Sequence, residues 1–491
     1  MSSRIDRITE QRLFSIKEMR RKGIEPYPNR CQRSHSTTEA IALLKEKDFQ
    51  PTTEVIVCGR ITAKRKMGKI SFLDIRDGTG KIQVFCQRNT LNEVQQELLK
   101  GLDIGDFTSV RGKVFRTKSG ETTIDATDLI LLSKSIKPLP EKWHGLHDVD
   151  TRFRQRYLDL ISNPEVLETF RIRSRIISLI RKFLDARGFL EAETPMLQPS
   201  AGGAMARPFS THHHALDRNL YMRIALELYL KRLIIGGYDK VYEIGRVFRN
   251  EGLSTKHNPE FTMLESYQAY TDYEEVMSML EEMVAAVVNE IYGCYTLKYG
   301  EYIIDFKPPW VRLSLRQAVK ENTGIDYRQF PDVMSLKEAI KNIDPEVDLD
   351  RDRGKLIDDL ISTFVEPKLI QPTFLIDYPI EMSPLAKNKP GDSDTVERFE
   401  AFIGGMEIAN AFTELNDPIE QRRRFKDQLE GKYKSNDDEM EVIDEDFISA
   451  LEYGMPPTGG LGVGIDRLVM LLTDRHSIRE VVFFPQLKDK Q

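Results

Sequence analysis

Residues 55–132 contain five short segments rich in strand-forming residues and separated by glycines or turn residues. The segments are 55–61, 70–77, 81–86, 107–114 and 122–132. A helix-like stretch at 91–99 follows the third of them. Five short strands with a helix after the third are typical of an OB-type β-barrel, a fold that binds oligonucleotides on one face.

The barrel segment divides the 491-residue chain into further parts. Residues 1–52 predict a helical N-terminal extension, because apolar positions recur at helical spacing over 4–22, where we expect one exposed basic helix. The barrel is placed at 53–140 and a linker at 141–163. Residues 164–491 predict one large domain of helices and strands, so the chain is expected to be an α+β multidomain protein.

The charge of the chain changes sign between its two parts. The whole sequence has 71 Lys and Arg against 77 Asp and Glu, a net charge of −6. Residues 1–140 hold 26 basic and 17 acidic residues, a net of +9, which leaves 45 and 60, a net of −15, for the remainder. A basic front indicates a module that meets a polyanion such as nucleic acid, although long chains also have uneven halves by chance.

The cysteines and the N-terminal sequence bear on location. Four scattered cysteines without CxxC spacing favour reduced thiols rather than a zinc site or a disulfide framework. The charged N-terminus lacks an apolar signal core, and no run of about 18 apolar residues predicts a membrane span. We therefore expect a cytoplasmic protein without a membrane partner.

Within the predicted barrel, basic residues cluster over 60–69, around the first two strands. Such a cluster would hold phosphates without reading sequence. Phe72 and Gln83 lie where a ring and an amide could face an unstacked base. The alternative for Phe72 is packing in the barrel core.

One segment of the large domain combines an arginine, a ring and carboxylates. Arg249 and Glu251 are two apart on a predicted strand and would face the same side. Phe261 and Glu265 would face them across a hairpin. These groups on one sheet surface could bind a phosphate, a base and an amine together.

Two further segments stand out at the two ends of the large domain. At 188–195 a glycine ends a helix and leads into a strand that contains Pro195. At 460–467 three glycines allow the backbone to approach a ligand closely, and Arg467 then opens a helix whose dipole favours phosphate.

In order and spacing, these three segments resemble motifs 1, 2 and 3 of the class II aminoacyl-tRNA synthetases. The similarity extends over about residues 4–484 and is greatest to the lysyl-tRNA synthetase family. The strings that carry it are GGAMARPFSTHHHALD at 202–217, LELYLKRLIIGG at 226–237, FRNEG at 248–252 with HNPEFTMLESYQAY at 257–270, RFEAFIGGMEIANAFTELNDP at 398–418 and PPTGGLGVGIDR at 456–467.

The resemblance implies an OB domain for the anticodon and a catalytic domain on an antiparallel sheet flanked by helices. It implies a homodimer formed through motif 1, which includes Pro195 here. The implied reaction joins L-lysine to tRNA(Lys) with ATP and Mg²⁺, through a lysyl-adenylate intermediate. Two rivals are a related ligase that transfers lysine to a protein and a non-catalytic RNA-binding homologue.

The resemblance also implies the groups that bind ATP. The attack of a carboxylate on a polyanionic nucleotide needs cations and positioning rather than a protein nucleophile. On the family pattern Arg249 bridges the lysine carboxylate and the α-phosphate, and Arg467 meets the γ-phosphate, so both are the implied catalytic residues. The positions that match the family's ATP contacts are Arg249, Glu251, Lys256, His257, Phe261 and Arg467.

For lysine, the resemblance implies a pocket of carboxylates around two ammonium groups. The matching positions are Glu227, Glu265, Tyr267, Asn410 and Glu414. The alternative for Glu414 is a structural pair with an arginine at 422–424. Leu226 departs from the family, whose members usually carry a proline before the pocket glutamate. Ala409 and Ala411 stand where bacterial members usually have glycines.

Glu400 and Glu407 match the Mg²⁺ carboxylates of the family, with a solvated surface as the alternative. For the anticodon, Phe72 and Gln83 match the stacking ring and the base-reading amide of related barrels. Arg60 and Glu121 are the further anticodon candidates.

Overall fold

The computed structural model describes residues 4–44, 53–140, 146–200, 202–204, 206–343, 351–435 and 443–489. The chain forms two compact units, 1–147 and 148–491. Residues 141–145, at the start of the predicted linker, lie outside the described part, as do 45–52 of the predicted extension. No helix in the described ranges is both long enough and apolar enough to cross a membrane.

The first unit is built on a closed barrel of five strands in the order β1-β2-β3-β5-β4. The strands are β1 Glu54–Met67, β2 Ile70–Arg76, β3 Lys81–Gln87, β4 Phe107–Arg116 and β5 Thr122–Ser133. On β3 alternate residues are buried, because successive side chains point to opposite faces, and the inward-pointing apolar residues of the five strands form the barrel core. The OB-type prediction is confirmed.

Within the described residues of this unit, three helices accompany the barrel: α1 Arg4–Arg21, α2 Thr37–Leu43 and α3 Glu93–Gly101. The predicted α1 is present, but it is not solvated all round. Arg12 is 8% exposed and donates hydrogen bonds to the carbonyl oxygens of Ser135, Lys137 and Ile104. Met19 packs into the barrel core, so α1 has a partner within its own unit.

The second unit contains the remaining helices. They are α4 Val149–Arg154, α5 Arg156–Ser162, α6 Pro164–Asp185, α7 Glu227–Ile235, α8 Tyr273–Tyr292, α9 Leu315–Thr323, α10 Val333–Lys341, α11 Arg353–Leu360, α12 Pro418–Ser435, α13 Glu445–Glu452, α14 Ile465–Leu472 and α15 Ile478–Val481. α6 begins with a proline in its first turn, and the chain leaves it through Gly188, whose φ of +79° favours glycine.

The strands of this unit form one large sheet and two small ones. They are β6 Leu190–Glu191, β7 Leu197–Gln198, β8 Ser210–His213, β9 Arg218–Met222, β10 Lys240–Phe248, β11 Glu260–Ala269, β12 Thr296–Tyr299, β13 Tyr302–Asp305, β14 Val311–Ser314, β15 Thr373–Pro379, β16 Asn388–Lys389, β17 Asp392–Phe402, β18 Glu407–Thr413 and β19 Thr458–Gly464. The large sheet runs β14-β15-β17-β18-β19-β11-β10-β6, with β16 beside β17. It is antiparallel except for the pairs at its edges, β14 with β15 and β10 with β6.

Strand β11 lies near the middle of this sheet and presents different residues to its two faces. Glu265 and Tyr267 point to one face, where they line a cavity. Thr262 and Ser266 point to the other face, where Thr262 accepts a hydrogen bond from buried Arg173 of α6. The helices α6, α8 and α14 cover that second face with the main hydrophobic core.

Two local predictions differ from the structure. Arg249 and Glu251 are not on a strand, because β10 ends at Phe248 and the chain turns away before β11 begins. Their side chains are therefore placed by the turn rather than by strand alternation. Pro195 likewise lies outside any strand, since β6 comprises two residues and ends at Glu191.

Candidate active site

A cavity of about 460 Å³ lies on the open face of the large sheet. Its floor is formed by β11, β18 and β19, and its sides by α7 and by the chain before β16. The floor is accessible because β19 carries glycines. A Cβ at Gly460 would lie 2.7 Å from Cε1 of Tyr267 and would overlap the carboxylate of Glu414. Glycine at 460 therefore makes room for two predicted lysine ligands.

Two of the predicted lysine ligands share a buried cation. Glu227 and Glu414 are 5% and 1% exposed. Nζ of Lys231, itself 0% exposed, lies 2.5 Å from Oε1 of Glu227 and also pairs with Oε2 of Glu414. Burial raises the pKa of both carboxyl groups, and Lys231 counteracts this shift. The partner of Glu414 is therefore Lys231, and Arg424 instead contacts Glu420 and backbone carbonyls.

A third carboxylate, Glu265, stands beside this pair. Its Oε2 accepts a hydrogen bond of 3.0 Å from the Tyr267 hydroxyl, and its Oε1 accepts one of 3.0 Å from the backbone N–H of Leu226. Burial and the nearby Glu227 raise the pKa of Glu265 to about 7, although the two hydrogen bonds lower it. A proline at 226 would have no N–H to donate, so the departure at Leu226 adds a hydrogen bond to the site.

Arg249 occupies the part of the cavity next to these carboxylates. Its Nε donates to the carbonyl oxygen of Ile224 at 3.3 Å, and its guanidinium carbon lies 5.2 Å from the centre of the Phe261 ring. Burial lowers the pKa of Arg249, while the negative charges of Glu251, Glu265 and Glu407 raise it. The structure thus brings Arg249, Glu251, Phe261 and Glu265 together, although the first two are not on a strand.

Arg467 lies in the first turn of α14, as predicted. Its Nη1 donates to Oε2 of Glu407 and to the backbone carbonyl of the same residue, both at 2.8 Å, and its Nη2 lies 3.5 Å from Nε2 of His257. Lys256 points elsewhere, because its Nζ is bound to Oε1 of Glu366 at 2.9 Å. Burial and the positive Arg467 lower the pKa of His257.

Glu400 and Glu407 line the same cavity, and neither forms part of a purely solvated surface. Oε1 of Glu400 lies 2.5 Å from Nη2 of Arg398, and Oε2 accepts a hydrogen bond of 2.8 Å from the Tyr378 hydroxyl. Burial and the negative charge of Glu407 raise the pKa of Glu400 to about 7, although Arg398 lowers it. Two carboxylates that repel each other in one cavity are a donor set that suits a divalent cation.

The described ranges contain no group of three or more acidic, histidine or cysteine residues that could enclose a metal ion alone. A cation at Glu400 and Glu407 would therefore need oxygens from another source, such as phosphates or water. Asn410 stands nearby, paired in register with Glu400, and its Oδ1 accepts a hydrogen bond of 2.9 Å from Arg398.

On the barrel, Phe72 is half-buried on the outer face and is not a core residue. It is opposite Phe85 in register, with the ring centres 5.2 Å apart, and Phe85 in turn lies 6.2 Å from Phe115. Gln83 is on the same face, and its Oε1 accepts a hydrogen bond of 3.0 Å from Thr123. Three rings and an amide on one outer face form a surface on which bases could stack.

The other barrel candidates are more dispersed. Arg60 donates a hydrogen bond of 3.0 Å to the carbonyl oxygen of Gly105 and covers the ring of Phe107 at 4.2 Å, so its guanidinium is committed within the unit. Lys64 is also committed, to three backbone carbonyls that include Leu102 at 2.7 Å. Glu121 is exposed in the turn before β5.

Several residues of the site were not found by sequence reasoning. Lys231 follows Glu227 by four residues on a helix, a spacing that brings the two side chains together, and this spacing was a usable signal. Arg398 precedes Glu400 by two residues on β17 and so shares its face. Phe85 and Phe115 offered only strand alternation, which does not reveal that three rings from three strands meet.

Comparison with known proteins defines the class. The model for class II tRNA synthetases (D, K and N) matches residues 148–488, and the model for the OB-fold nucleic acid binding domain matches residues 55–132. The two matches fall within the two compact units. The chain is thus built as a class II aminoacyl-tRNA synthetase with an OB-fold domain.

The individual relatives within this class are all ligases for one amino acid, lysine. The lysine–tRNA ligase of Dehalococcoides mccartyi (strain 195) is 60% identical over 487 residues, which cover 99% of this chain and 98% of the relative. Those of Moorella thermoacetica and Bacillus subtilis (strain 168) are 53% and 50% identical, over 98% and 97% of this chain and 97% and 96% of the relatives. The chain belongs to the lysine–tRNA ligase family of class II synthetases.

Proposed function

We propose that this protein ligates L-lysine to tRNA(Lys) in translation, with ATP, through a lysyl-adenylate intermediate. The observation that carries the proposal is the charge of the cavity. Three buried carboxylates, Glu227, Glu265 and Glu414, converge at one end. Buried carboxylates are costly unless cations pair with them, and lysine carries two ammonium groups.

Two arginines supply positive charge where phosphates would lie. They are Arg249, next to these carboxylates, and Arg467, which is bound to Glu407. In the first step a carboxylate oxygen of lysine attacks the α-phosphorus of ATP, the new O–P bond forms, and the bond to pyrophosphate breaks. We assign Arg249 to the carboxylate and the α-phosphate, because it lines the same cavity as Glu265 and Glu407. Arg467 is assigned to the γ-phosphate and Phe261 to stacking on adenine, with Glu251 and His257 beside them.

Within the lysine end, we assign Glu265 and Glu227 to the α-ammonium group and Glu414 and Tyr267 to the side-chain ammonium. Asn410 is assigned to the carboxylate end of the substrate. In the second step the lysyl group passes from the adenylate to the 3′-terminal adenosine of tRNA, and AMP leaves. No protein nucleophile is required for either transfer, so the residues act by positioning and charge.

We propose that Glu400 and Glu407 hold Mg²⁺, since their mutual repulsion in a shared cavity would be relieved by a divalent cation. The ion would supply charge neutralisation for the phosphates. Nζ of Lys256 is bound to Oε1 of Glu366. We propose that Lys256 exchanges this partner for a phosphate when ATP binds.

We assign anticodon binding to the barrel within 53–140 and the chemistry to 164–491. Phe72 and Gln83 are the proposed base contacts, with Glu121 and Arg60 beside them. A non-catalytic homologue is disfavoured because Arg249, Arg467, Glu400 and Glu407 are all retained in one cavity or at its rim. A ligase that modifies a protein has no evident use for a base-stacking surface.

We also propose that the protein is a homodimer and that it is cytoplasmic. Pro195 is exposed, and three large apolar side chains around it, Leu190, Met196 and Leu197, are 46%, 49% and 47% exposed. Such a patch favours association with a second copy. A role in translation and the four free cysteines are consistent with a reducing compartment.

Lysine-dependent exchange of pyrophosphate with ATP tests the function. Exchange is expected with L-lysine and Mg²⁺, and charging is expected with tRNA(Lys) transcripts. Exchange driven by aspartate or asparagine instead of lysine would refute the assignment. Exchange without any charging of tRNA would favour the ligase that modifies a protein.

A further inference from the structure

Lys231 is the most completely buried ammonium group of the lysine pocket. It follows Glu227 by one helical turn on α7, and its ammonium lies between Glu227 and Glu414. The rings of Phe412 and Phe447 lie 5.6 and 5.8 Å from Nζ and close the apolar side of the group. Its exposure is 0%.

A count of charges shows what this ammonium changes. The carboxylates of Glu227, Glu265 and Glu414 would give the lysine end of the cavity three negative charges when all are ionised. Lys231 neutralises one of them, which leaves two. Bound L-lysine brings two ammonium groups to this end, and its carboxylate faces Arg249. With all three carboxylates ionised, this end of the pocket is neutral with lysine only when Lys231 is present.

We propose that Lys231 is a specificity-determining positioning residue that fixes Glu227 and Glu414 and sets the charge of the pocket to match a substrate with two ammonium groups. This proposal rests on the proposed function, because it assigns to Lys231 a part in the choice of lysine. Lys231 acts through the two carboxylates and does not touch the substrate.

The position of the cation follows from the helix that carries it. Residues four apart on an α-helix lie on the same face, so Glu227 and Lys231 remain paired whether or not the pocket is filled. Glu414, by contrast, comes from the end of β18, on a different element. Lys231 therefore connects the helical side of the pocket to the sheet and holds Glu414 toward the cavity.

Loss of Lys231 would make the binding of lysine in the pocket depend on pH. The titratable groups that act on Glu414 are Lys231 and Glu227 from α7 and Glu265 and Tyr267 from β11. Without the ammonium, Glu414 would keep its burial and its acidic neighbours, so its pKa would rise and it would be protonated at neutral pH. The other charged groups around it are already paired: Arg424 on α12 with Glu420, and Asp444 before α13 with Arg232.

The test is pyrophosphate exchange by the full-length Lys231→Met variant across pH 7 to 9. We expect the KM for lysine at pH 7 to rise about tenfold or more, since an unpaired buried carboxylate is neutralised rather than left charged. The KM for ATP should change less than twofold. The defect for lysine should shrink as pH rises, because Glu414 ionises again.

The matched control is Lys240→Met, which removes an ammonium from the same unit but on the opposite face of the sheet, where it lies 5.6 Å from Phe189. An equal loss for lysine and ATP, or a loss that does not change with pH, would overturn the proposal. Wild-type exchange with lysine tests the function separately, so failure of the function and failure of this inference are distinguishable.

A second variant covers the case in which Lys231→Met does not fold. Glu227→Gln with Lys231→Met removes one charge of each sign and restores the net charge of the buried group. The reference is Glu227→Gln alone, so this comparison does not need the Lys231→Met single variant. Charge matching predicts that loss of Lys231 in the Glu227→Gln background does not raise the KM for lysine. A KM for lysine at pH 7 that is about tenfold higher in the double variant than in Glu227→Gln alone refutes charge matching.

Discussion

Replacement of Glu414 by glutamine separates the binding of lysine from the stability of the fold. The carboxylate is 1% exposed, and the proposed side-chain ammonium would be buried against it. Removal of one partner of a buried, hydrogen-bonded charge pair costs roughly 2–5 kcal/mol. A loss of about 3 kcal/mol corresponds to a fall of about 150-fold in kcat/KM for lysine.

The stability of the variant should change far less than its activity. Burial raises the pKa of Glu414 above its ordinary value, so the ionised group destabilises the folded state at neutral pH. Glutamine removes this cost but leaves Lys231 with Glu227 alone. These effects oppose each other, and we expect the melting temperature to stay within about 4 °C of the wild type.

Lysine-dependent pyrophosphate exchange and a thermal melt, run on the same preparation, measure both quantities. The control is Glu282→Gln, the same substitution at a carboxylate paired with Arg187 outside the cavity, which should leave exchange unchanged. The reasoning is refuted if Glu414→Gln raises the KM for ATP as much as that for lysine. Retention of wild-type kcat/KM for lysine would refute it as well.

Further predictions concern other parts of the molecule. Phe72→Ala should reduce kcat/KM for tRNA by about 10- to 100-fold, because stacking of one base contributes roughly 1–3 kcal/mol, and should leave exchange unchanged; an equal fall in both assays would contradict the anticodon role. Lysine binding at pH 7 should release protons, since the pKa of Glu265 is about 7 and an adjacent ammonium lowers it; calorimetry in buffers of different ionisation enthalpy measures this release, and no release at pH 7 would contradict the prediction. Leu226→Pro removes one hydrogen bond to Glu265 and should increase the release at pH 7, so a decrease would argue against that contact. Gly460→Ala should abolish lysine-dependent exchange, because the added methyl overlaps Glu414, and retained exchange would show that the pocket can adjust.

The fold of the barrel was largely predictable from local sequence. Over β3 the residues alternate between core and surface with the period of the pleat, and turn residues or a helix separate the strand segments. Resemblance supplied the rest of the topology, because the large sheet joins strands as distant in sequence as β11 and β19. No local pattern specifies a pairing across nearly 200 residues.

The site was predictable in its charges but not in its internal partners. Glu414 was predicted as a lysine ligand, whereas its ion pair with Lys231 depends on how α7 packs against the end of β18. Arg249 reaches the cavity although its strand ends one residue earlier, at Phe248. Such positions are set by tertiary packing, which sequence periodicity does not contain.

The spacing of the ligand-side residues along β11 limits how finely this strand can position a substrate. The proposed adenine contact Phe261 and the proposed ammonium contact Tyr267 are six residues apart on the ligand side, a span of about 20 Å in an extended strand. The strand offers positions on that side only every two residues, in steps of about 7 Å. A substrate moved by one such step along β11 would be displaced by more than the length of most amino-acid side chains. Fine discrimination between amino acids that differ by one methylene must therefore come from groups off this strand, such as Glu414.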